Sequence, residues 1–321
     1  MKAVICDGFG PLEQLRYDEM AAPTPGPREV LLRVEAAGVN YPDGLLVQGL
    51  YQMRPEAPFV PGMEAVGEVI ATGAEVSRVK PGERVAALLN LGGYAEQALA
   101  HEAAVFPIGE MDAGDANALL VAYGTSHHAL KQRAQLQAGE TLVVLGGAGA
   151  TGLAAIQIGK IMGARVIAVC SSPEKQQIAR DAGADEVIGY DALKEDIKTL
   201  TDGRGADVVF DVVGGAAFDV CSRAMARNGR LLVIGFASGT IAKLPVNLTL
   251  VKEYAVVGVF WGNFTKHEPA VYGANMEELI GWYQTGQIKP LIEGRYPLAE
   301  APEVLARILN RGAVGKIVLL P

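Results

Sequence analysis

The pattern of apolar and polar positions changes about one third of the way along the chain. In residues 1 to about 110, short apolar runs such as 64–72 and 83–89 are divided by turn residues. Val30, Leu32 and Val34 recur at every second position, and charged residues stand at 29, 33 and 35, which is the period of a half-buried strand. We predict that this part forms a small β-barrel or sandwich-like unit.

From about residue 115 the pattern becomes strand followed by helix, and this order repeats. Such alternation predicts a parallel sheet covered by helices on both faces. A last strand at 316–320 follows this block and is expected to return to the first part. The predicted strands of the block are 141–145, 165–169, 186–188, 207–213, 230–234 and 255–259, and the predicted helices are 153–162, 173–182, 216–226 and 276–285.

Composition narrows the class of protein. The chain has 321 residues, half of them hydrophobic, and a net charge of −8. This negative charge disfavours general electrostatic binding to nucleic acid or anionic membranes. Cys6, Cys170 and Cys221 have neither metal-ligand spacing nor the number needed for a disulfide framework. No signal-peptide pattern and no apolar run of about 18 residues is present. We therefore expect a cytoplasmic protein without a membrane span.

The strongest chemical signal is the glycine-rich turn at 145–152, which follows a predicted strand and opens a predicted helix. Glycines allow backbone N–H groups to approach a pyrophosphate, and the helix N-terminus adds partial positive charge. The alternative is an ordinary tight turn, but the strand, turn, helix and second strand occur in the order of a dinucleotide site. The expected cofactor-binding residues here are Gly146, Gly149, Ala150, Thr151 and Gly152.

The end of the second strand bears on the choice of cofactor. Preference for NAD usually requires an acidic residue there, which binds the ribose 2′-OH. Here Ser171 and Ser172 follow the strand, Lys175 is close by, and Glu174 falls at the start of the next helix. We predict NADPH, with Ser171 and Lys175 near the 2′-phosphate. The alternative for Lys175 is a solvated surface lysine.

Several motifs together resemble the medium-chain dehydrogenase/reductase superfamily and, within it, the zinc-free quinone oxidoreductases of the zeta-crystallin group. The resemblance implies an α/β fold with a GroES-like β-rich catalytic domain at 1–120 and 263–321. It also implies a Rossmann NADPH-binding domain with a doubly wound parallel sheet at 121–262. The motifs are 37–40 (AGVN), 48–51 (QGLY), 61–64 (PGME), 79–85 (VKPGERV), 314–319 (VGKIVL) and the glycine-rich turn.

The resemblance also speaks to metal binding. In zinc alcohol dehydrogenases of this superfamily, a cysteine and a histidine ligate zinc at the positions that Asn40 and Met63 occupy here. Amide and thioether groups are poor zinc ligands beside thiolate and imidazole. His127 and His128 are adjacent, so on a helix they point about 100° apart. We expect no zinc.

The resemblance implies roles for individual residues. Asn40 is expected to hold the nicotinamide or a substrate carbonyl, although a turn role is the alternative. Tyr51 is expected in the active cleft, as a proton donor or as a packing aromatic. Thr125 is a candidate hydrogen-bonding partner at the nicotinamide face, or a helix cap. Tyr190 matches a family position near the adenosine phosphate, and Arg311 matches a basic family position that can reach the 2′-phosphate.

Other residues are expected to line the cofactor crevice because they follow later strands of the parallel sheet. Ligands in such folds lie beyond the carboxyl ends of the strands. The residues are Gly235, Phe236, Ala237, Val259, Phe260 and Trp261.

These expectations combine into an NADPH-dependent reductase of quinones or α,β-unsaturated carbonyl compounds that uses no zinc. The alternatives are an enoyl-thioester reductase and a non-catalytic protein that senses nucleotides or binds RNA; the acidic balance disfavours the latter. A homodimer is expected by resemblance, with the apolar run at 255–261 pairing across a two-fold axis unless it is an interior strand.

Overall fold

The computed structural model describes residues 1–321, which divide into two compact units. Unit 1 comprises Met1–Val121 and Pro290–Pro321, and unit 2 comprises Ala122–Lys289. Unit 2 is therefore inserted into the sequence of unit 1.

The first segment of unit 1 is mainly strands joined by turns. Its strands are β1 (Lys2–Ile5), β2 (Arg16–Glu19), β3 (Glu29–Val39), β4 (Glu64–Thr72), β5 (Arg84–Leu88), β6 (Gln97–His101) and β7 (Val105–Pro107). Its helices are α1 (Tyr41–Val47) and α2 (Ala113–Ala118), with 3-10 turns at Leu12–Gln14 and Glu102–Ala104.

Unit 2 alternates strands and helices. Its strands are β8 (Thr141–Leu145), β9 (Arg165–Val169), β10 (Glu186–Ile188), β11 (Ala206–Asp211), β12 (Met225–Val233) and β13 (Ala255–Gly258). Its helices are α3 (Gly124–His128), α4 (Ala150–Ile161), α5 (Pro173–Asp181), α6 (Leu193–Leu200), α7 (Gly215–Ala224), α8 (Val246–Lys252), α9 (Trp261–His267) and α10 (Pro269–Gln284). Wider π-helical turns at Leu119–Tyr123 and Ala129–Arg133 flank α3.

The last segment returns to unit 1. It comprises β14 (Ile292–Pro297), a 3-10 turn at Leu298–Glu300, α11 (Ala301–Leu309) and β15 (Lys316–Leu320). Strand β15 pairs antiparallel with β3, with Val318 opposite Gly38. The predicted return of the last strand to the first part of the chain is confirmed.

The main sheet of unit 1 has seven strands. Along it the order is β14-β15-β3-β4-β5-β7, and β6 also pairs with β3. Val30, Leu32 and Val34 of β3 are buried in the core of this unit, as their alternation predicts. Strand β3 is central because three strands pair with it.

The sheet of unit 2 has six parallel strands in the order β10-β9-β8-β11-β12-β13. Counted from β8, this is 3-2-1-4-5-6, the order of a dinucleotide-binding fold. All five residues of β8 are buried, which is why the strand reads as a continuous apolar run. The strand order reverses between β8 and β11, so ligands are expected beyond the carboxyl ends of these two strands.

The second boundary between the units differs from the predicted one at 262/263. Residues 263–289 belong to unit 2, because α10 packs on the α3 region. His127 Nε2 lies 2.7 Å from a Glu278 carboxylate oxygen, and Gln132 donates to Asn275 Oδ1 at 3.0 Å. The sequence shows that α10 is a helix but does not show which unit it packs against. No helix has both the length and the apolar character needed to span a bilayer.

Candidate functional site

The glycine-rich turn connects β8 to α4 and depends on its glycines. Gly146 has a φ of +68°, a conformation that side chains disfavour. Its N–H donates to the hydroxyl of Tyr190 at 3.0 Å, so Tyr190 supports this turn directly. A Cβ on Gly152 would lie 2.2 Å from the carbonyl oxygen of Gly146. Only glycine at 152 therefore allows the helix to begin so close to the strand.

The first turn of α4 presents backbone donors to a ligand. Gly149 is the N-cap residue, and no side chain caps the helix. The first intrahelical bond runs from Leu153 N to Gly149 O at 2.8 Å, so the amides of Ala150, Thr151 and Gly152 precede the helical ladder. Uncapped amides and the helix dipole suit an anion such as a pyrophosphate. The turn therefore fits the cofactor expected from the sequence.

Helix α3 is attached to the same turn. Ser126 Oγ lies within hydrogen-bond distance of two carbonyl oxygens, that of Ala122 at 3.0 Å and that of Thr151 at 2.8 Å. Thr125, the residue before it, is half-buried and lies inside α3 rather than at its N-cap. Thr125 is thus placed near the start of α4 through its neighbour, and the alternative of a cap is not what the structure shows.

The end of β9 carries hydroxyl and amino groups and no acid. Ser171 is exposed, and Ser172 caps α5 by accepting from Lys175 N at 3.3 Å. Burial raises the pKa of the Cys170 thiol to about 11, and the charge of Lys175 acts against this rise. Lys175 is therefore close to the strand end. Glu174 is exposed in the first turn of α5, a position where acids favour the helix dipole.

The ends of β11 and β12 form one connected pair of loops. Asp211 Oδ1 accepts from Val213 N at 2.7 Å and from Gly214 N at 2.8 Å, which shapes the turn after β11. Burial is the main reason that the pKa of the Asp211 carboxyl is raised. Ala237 N donates to Val212 O at 3.0 Å, so the loop after β12 lies against this turn. That loop contains Gly235, Phe236 and Ala237, of which Phe236 is exposed.

The residues after β13 have different environments. Val259 and Trp261 are buried, whereas Phe260 is 57% exposed. Trp261 meets Tyr272 edge-on at 5.7 Å, and a Cβ on Gly124 would lie 2.8 Å from its ring. Of these three predicted crevice residues, Phe260 alone presents a large exposed side chain.

In unit 1, Asn40 belongs to a buried ionic cluster. Its Nδ2 donates to Glu64 Oε1 at 2.9 Å, and its Oδ1 accepts from Lys316 Nζ at 2.8 Å. Lys316 Nζ also forms an ion pair with Glu64 and donates to Val39 O at 3.1 Å. Glu64 and Lys316 are almost completely buried. Both ends of the Asn40 amide are therefore already bonded within unit 1.

Asp43 extends this cluster at the start of α1. Its Oδ2 accepts from Asn40 N at 2.8 Å and from the Tyr94 hydroxyl at 2.9 Å. Asp43 is fully buried, and burial is the largest cause that raises the pKa of its carboxyl to about 7. Asp43, in the first turn of α1, is thus a titratable group in the range of neutral pH.

Tyr51 follows α1 and is half-buried against the core of unit 1. Burial raises the pKa of its phenol, and the charge of Asp43 raises it further. At neutral pH Tyr51 is therefore protonated and can donate a hydrogen bond. Arg311, by contrast, is exposed just after α11, where its N–H donates to Ile308 O at 3.0 Å.

The structure contains no group of three or more His, Cys, Asp or Glu side chains arranged to hold a metal ion. His127 contacts Glu278, and His128 stacks on Phe264 with ring centroids 3.8 Å apart. The two histidines therefore have separate packing partners. Met63 is half-buried, beside Glu64 in the chain.

Sequence reasoning missed the cluster around Glu64. Glu64 and Lys316 each stand in a motif and begin a predicted strand, but nothing in the sequence pairs them, and Tyr94 is in neither a motif nor a predicted site. The available signal was a charged residue at the start of an apolar strand, which occurs at both 64 and 316. A charge is rarely buried without a partner, so two such residues can be tested as a pair.

Two family models match the chain. One is described as "Alcohol dehydrogenase GroES-like domain" and matches residues 26–110; the other is described as "Zinc-binding dehydrogenase" and matches residues 150–278. The first match falls in unit 1 and the second in unit 2.

Curated and solved proteins resemble the chain over nearly its full length. A quinone oxidoreductase-like protein 2 homolog of Nematostella vectensis is 36% identical, covering 99% of this chain and 88% of the relative. The human quinone oxidoreductase is 33% identical, covering 100% and 98%. The solved structure of mycobacterial Rv1454c complexed with NADPH is 31% identical, with a TM-score of 0.94 and full coverage of both chains.

These matches agree with the fold of each unit and with the motifs in the sequence. The chain is an oxidoreductase and belongs to the quinone oxidoreductase group of the medium-chain dehydrogenase/reductase superfamily.

Proposed function

We propose that the protein is an NADPH-dependent reductase that transfers hydride to a quinone or an α,β-unsaturated carbonyl compound without zinc. The observation that carries the proposal is the uncapped glycine turn of α4, followed at the end of β9 by hydroxyl and amino groups instead of an acid. The mycobacterial relative solved with NADPH supports the same cofactor.

The residues of unit 2 would bind and orient the cofactor. The amides of Ala150, Thr151 and Gly152 would hold the pyrophosphate, while Ser171 and Lys175 would hold the 2′-phosphate. Tyr190 would act through the turn, since its hydroxyl already accepts from Gly146. When bound, NADPH supplies the hydride, and the protein supplies orientation and electrostatics.

The residues of unit 1 would serve the acceptor. Tyr51 holds its phenolic proton at neutral pH and would donate a hydrogen bond to the oxygen that gains negative charge. Asn40 is braced by Glu64 and Lys316, so its direction is fixed before any ligand arrives. We propose that Asn40 uses its second N–H for the nicotinamide or the acceptor carbonyl.

The proposed reaction can be tested with a steady-state panel of quinones, enals and enoyl thioesters, each with NADPH and NADH. We expect NADPH-dependent reduction of quinones or enones with the highest kcat/KM. Highest kcat/KM for enoyl thioesters would instead assign the enoyl-thioester reductase alternative. Salt-sensitive retention of RNA without any reductase activity would assign the non-catalytic alternative.

Lys175→Ala is expected to raise the KM for NADPH by about tenfold to a hundredfold, because a charged hydrogen bond contributes about 1.5–3 kcal/mol. The KM for NADH, which lacks the 2′-phosphate, should change little. Lys194→Ala, on the exposed part of α6, is the matched control. Equal effects of Lys175→Ala on both cofactors would remove this residue from the phosphate site.

We also propose a homodimer that forms through the β13 edge of unit 2. Strand β13 ends the sheet, and the neighbouring α8 has no buried residue. Val246, Leu250 and Val251 of α8 are 68–80% exposed, which is unusual for apolar side chains of a monomer. The expected result is twice the chain mass in light scattering at micromolar concentration. Leu250→Glu should shift this mass towards the monomer, and a wild-type monomer would contradict the proposal.

A reducing compartment such as the cytoplasm is proposed as the site of action. Cys6, Cys170 and Cys221 are all buried and form no disulfide. Reduced thiols of this kind suit a compartment kept reducing by glutathione and thioredoxin.

A further inference from the structure

Asp43 has an unusual environment for a carboxyl group. It is fully buried, and one of its oxygens, Oδ2, accepts two hydrogen bonds, from Asn40 N and from the Tyr94 hydroxyl. The other oxygen, Oδ1, is also buried and has no hydrogen-bond partner. Burying an ionised carboxylate with one oxygen that accepts no hydrogen bond costs much free energy, whereas burying a protonated carboxyl costs much less.

The neighbouring charges do not remove this cost. Glu64 and Lys316 face Asp43 from β4 and β15, and Tyr94 approaches from the segment between β5 and β6. The ammonium group of Lys316 is bonded to Glu64, Asn40 Oδ1 and Val39 O. Its charge is therefore largely balanced by Glu64. An ionised Asp43 would be the second carboxylate beside a single ammonium group.

The charge of Asp43 reaches Tyr51. Burial is the largest cause that raises the pKa of the Asp43 carboxyl to about 7, while the Tyr94 hydrogen bond and the charge of Lys316 act against it. Ionised Asp43 in turn raises the pKa of the Tyr51 phenol. Burial is the larger cause of the Tyr51 rise, and the charge of Asp43 adds to it, so ionisation of Asp43 makes the Tyr51 phenol less acidic.

We propose that Asp43 is a positioning residue whose protonation controls the ability of Tyr51 to assist reduction. With a proton on Asp43, the surroundings of Tyr51 carry one negative charge less, and the phenol donates more strongly to an oxygen that gains electrons. With Asp43 ionised, the same negative charge opposes both the donation and the anion on the acceptor. This inference rests on the proposed reductase function.

The direction of the pH dependence follows. Asp43 is protonated below its pKa, so the faster form exists at low pH and is lost as the pH rises through about 7. Enone reduction concentrates charge on one oxygen, so the effect should be larger for enones than for quinones. We expect kcat for an enone at saturating NADPH to fall by about threefold to tenfold between pH 6 and pH 8.5. This is less than the ~10²-fold of a complete general-acid contribution, because the Tyr51 hydroxyl is weakened and not removed.

Two variants test the assignment. Asp43→Asn imitates the protonated carboxyl. It should abolish the fall in kcat between pH 6 and pH 8.5 and keep the rate that wild type has at low pH. Tyr94→Phe removes a hydrogen bond that favours the ionised form of Asp43. The fall in kcat should therefore occur about one pH unit higher than in wild type. A merely structural role for Asp43 would change the rate equally at all pH values. If the fall in kcat with pH is unchanged in both variants, the proposal is overturned.

A second measurement does not depend on activity. Infrared difference spectra between pH 6 and pH 8.5 should contain the carbonyl band of a protonated carboxyl that disappears as the pH rises. The band should be absent in Asp43→Asn and should persist to higher pH in Tyr94→Phe. Absence of this band from wild type would overturn the proposal even if Asp43→Asn fails to fold.

The two proposals can fail separately. If the protein reduces no quinone or enone with NADPH, the proposed function fails, whatever the infrared band shows. If reduction occurs and the infrared band titrates while kcat of Asp43→Asn still falls between pH 6 and pH 8.5, the reductase function stands and the proposed role of Asp43 is wrong.

Discussion

Lys316→Met is expected to destabilise the protein by about 3–5 kcal/mol, because it removes one partner of a buried ion pair and leaves the other charge behind. Lys316 and Glu64 are almost completely buried, and both lie in unit 1. Glu64 would retain Asn40 Nδ2 and Val121 N as donors, but no cation. The free energy of unfolding from urea titration measures the loss.

Lys160→Met provides a matched control for this substitution. Lys160 pairs with Asp185 at 2.6 Å, and both side chains are about one third exposed. Loss of such a surface pair should cost less than about 1 kcal/mol. The double variant Glu64→Gln/Lys316→Met should recover more than half of the stability lost in Lys316→Met, because no uncompensated charge remains. Equal losses of unfolding free energy in Lys316→Met and Lys160→Met would show that the buried pair contributes no more to stability than the exposed pair.

Tyr51→Phe is expected to lower kcat/KM for enones by about a hundredfold, the size of a general-acid contribution. The ring and its packing remain, so the substitution removes only the hydroxyl. Quinones spread the incoming charge over a second oxygen, and water can protonate their product. For quinones we therefore expect a loss of only a few fold. Parallel kinetics with one enone and one quinone measure the difference.

Tyr17→Phe is the control for this variant, because Tyr17 is exposed on β2 and far in sequence from the proposed acceptor residues. It should leave both rates unchanged. Similar small losses for both acceptors in Tyr51→Phe would remove Tyr51 from the catalytic residues. The main contribution of the protein would then be the orientation of the nicotinamide.

The parallel sheet and its glycine turn were predictable because their signals are local. Most strands of unit 2 contain a short apolar run, and the turn after β8 has its glycines within seven residues, 146–152. The positive φ at Gly146 and the close contact at Gly152 are consequences of the same short stretch. All of these signals lie within short stretches of the sequence.

The ionic cluster and the second boundary depend on contacts between distant segments. Glu64 and Lys316 are 252 positions apart, so neither residue indicates its partner. Likewise, the bond between His127 and Glu278 joins residues 151 positions apart and holds α10 in unit 2. A hydrophobic pattern states that a face is buried, but it does not state against which element. Such features require the tertiary structure.

The insertion of unit 2 into unit 1 has a consequence for synthesis on the ribosome. Unit 2 is complete once residue 289 has emerged, and it can then fold as a unit. Unit 1 must wait, because β3 lacks its neighbour β15, and Glu64 lacks the ammonium group of Lys316, until residue 316 has been made. During that interval, β3 has an unpaired edge that can join other chains. Slow or interrupted synthesis between residues 289 and 316 should therefore expose the nascent chain to aggregation more than a pause inside unit 2 does.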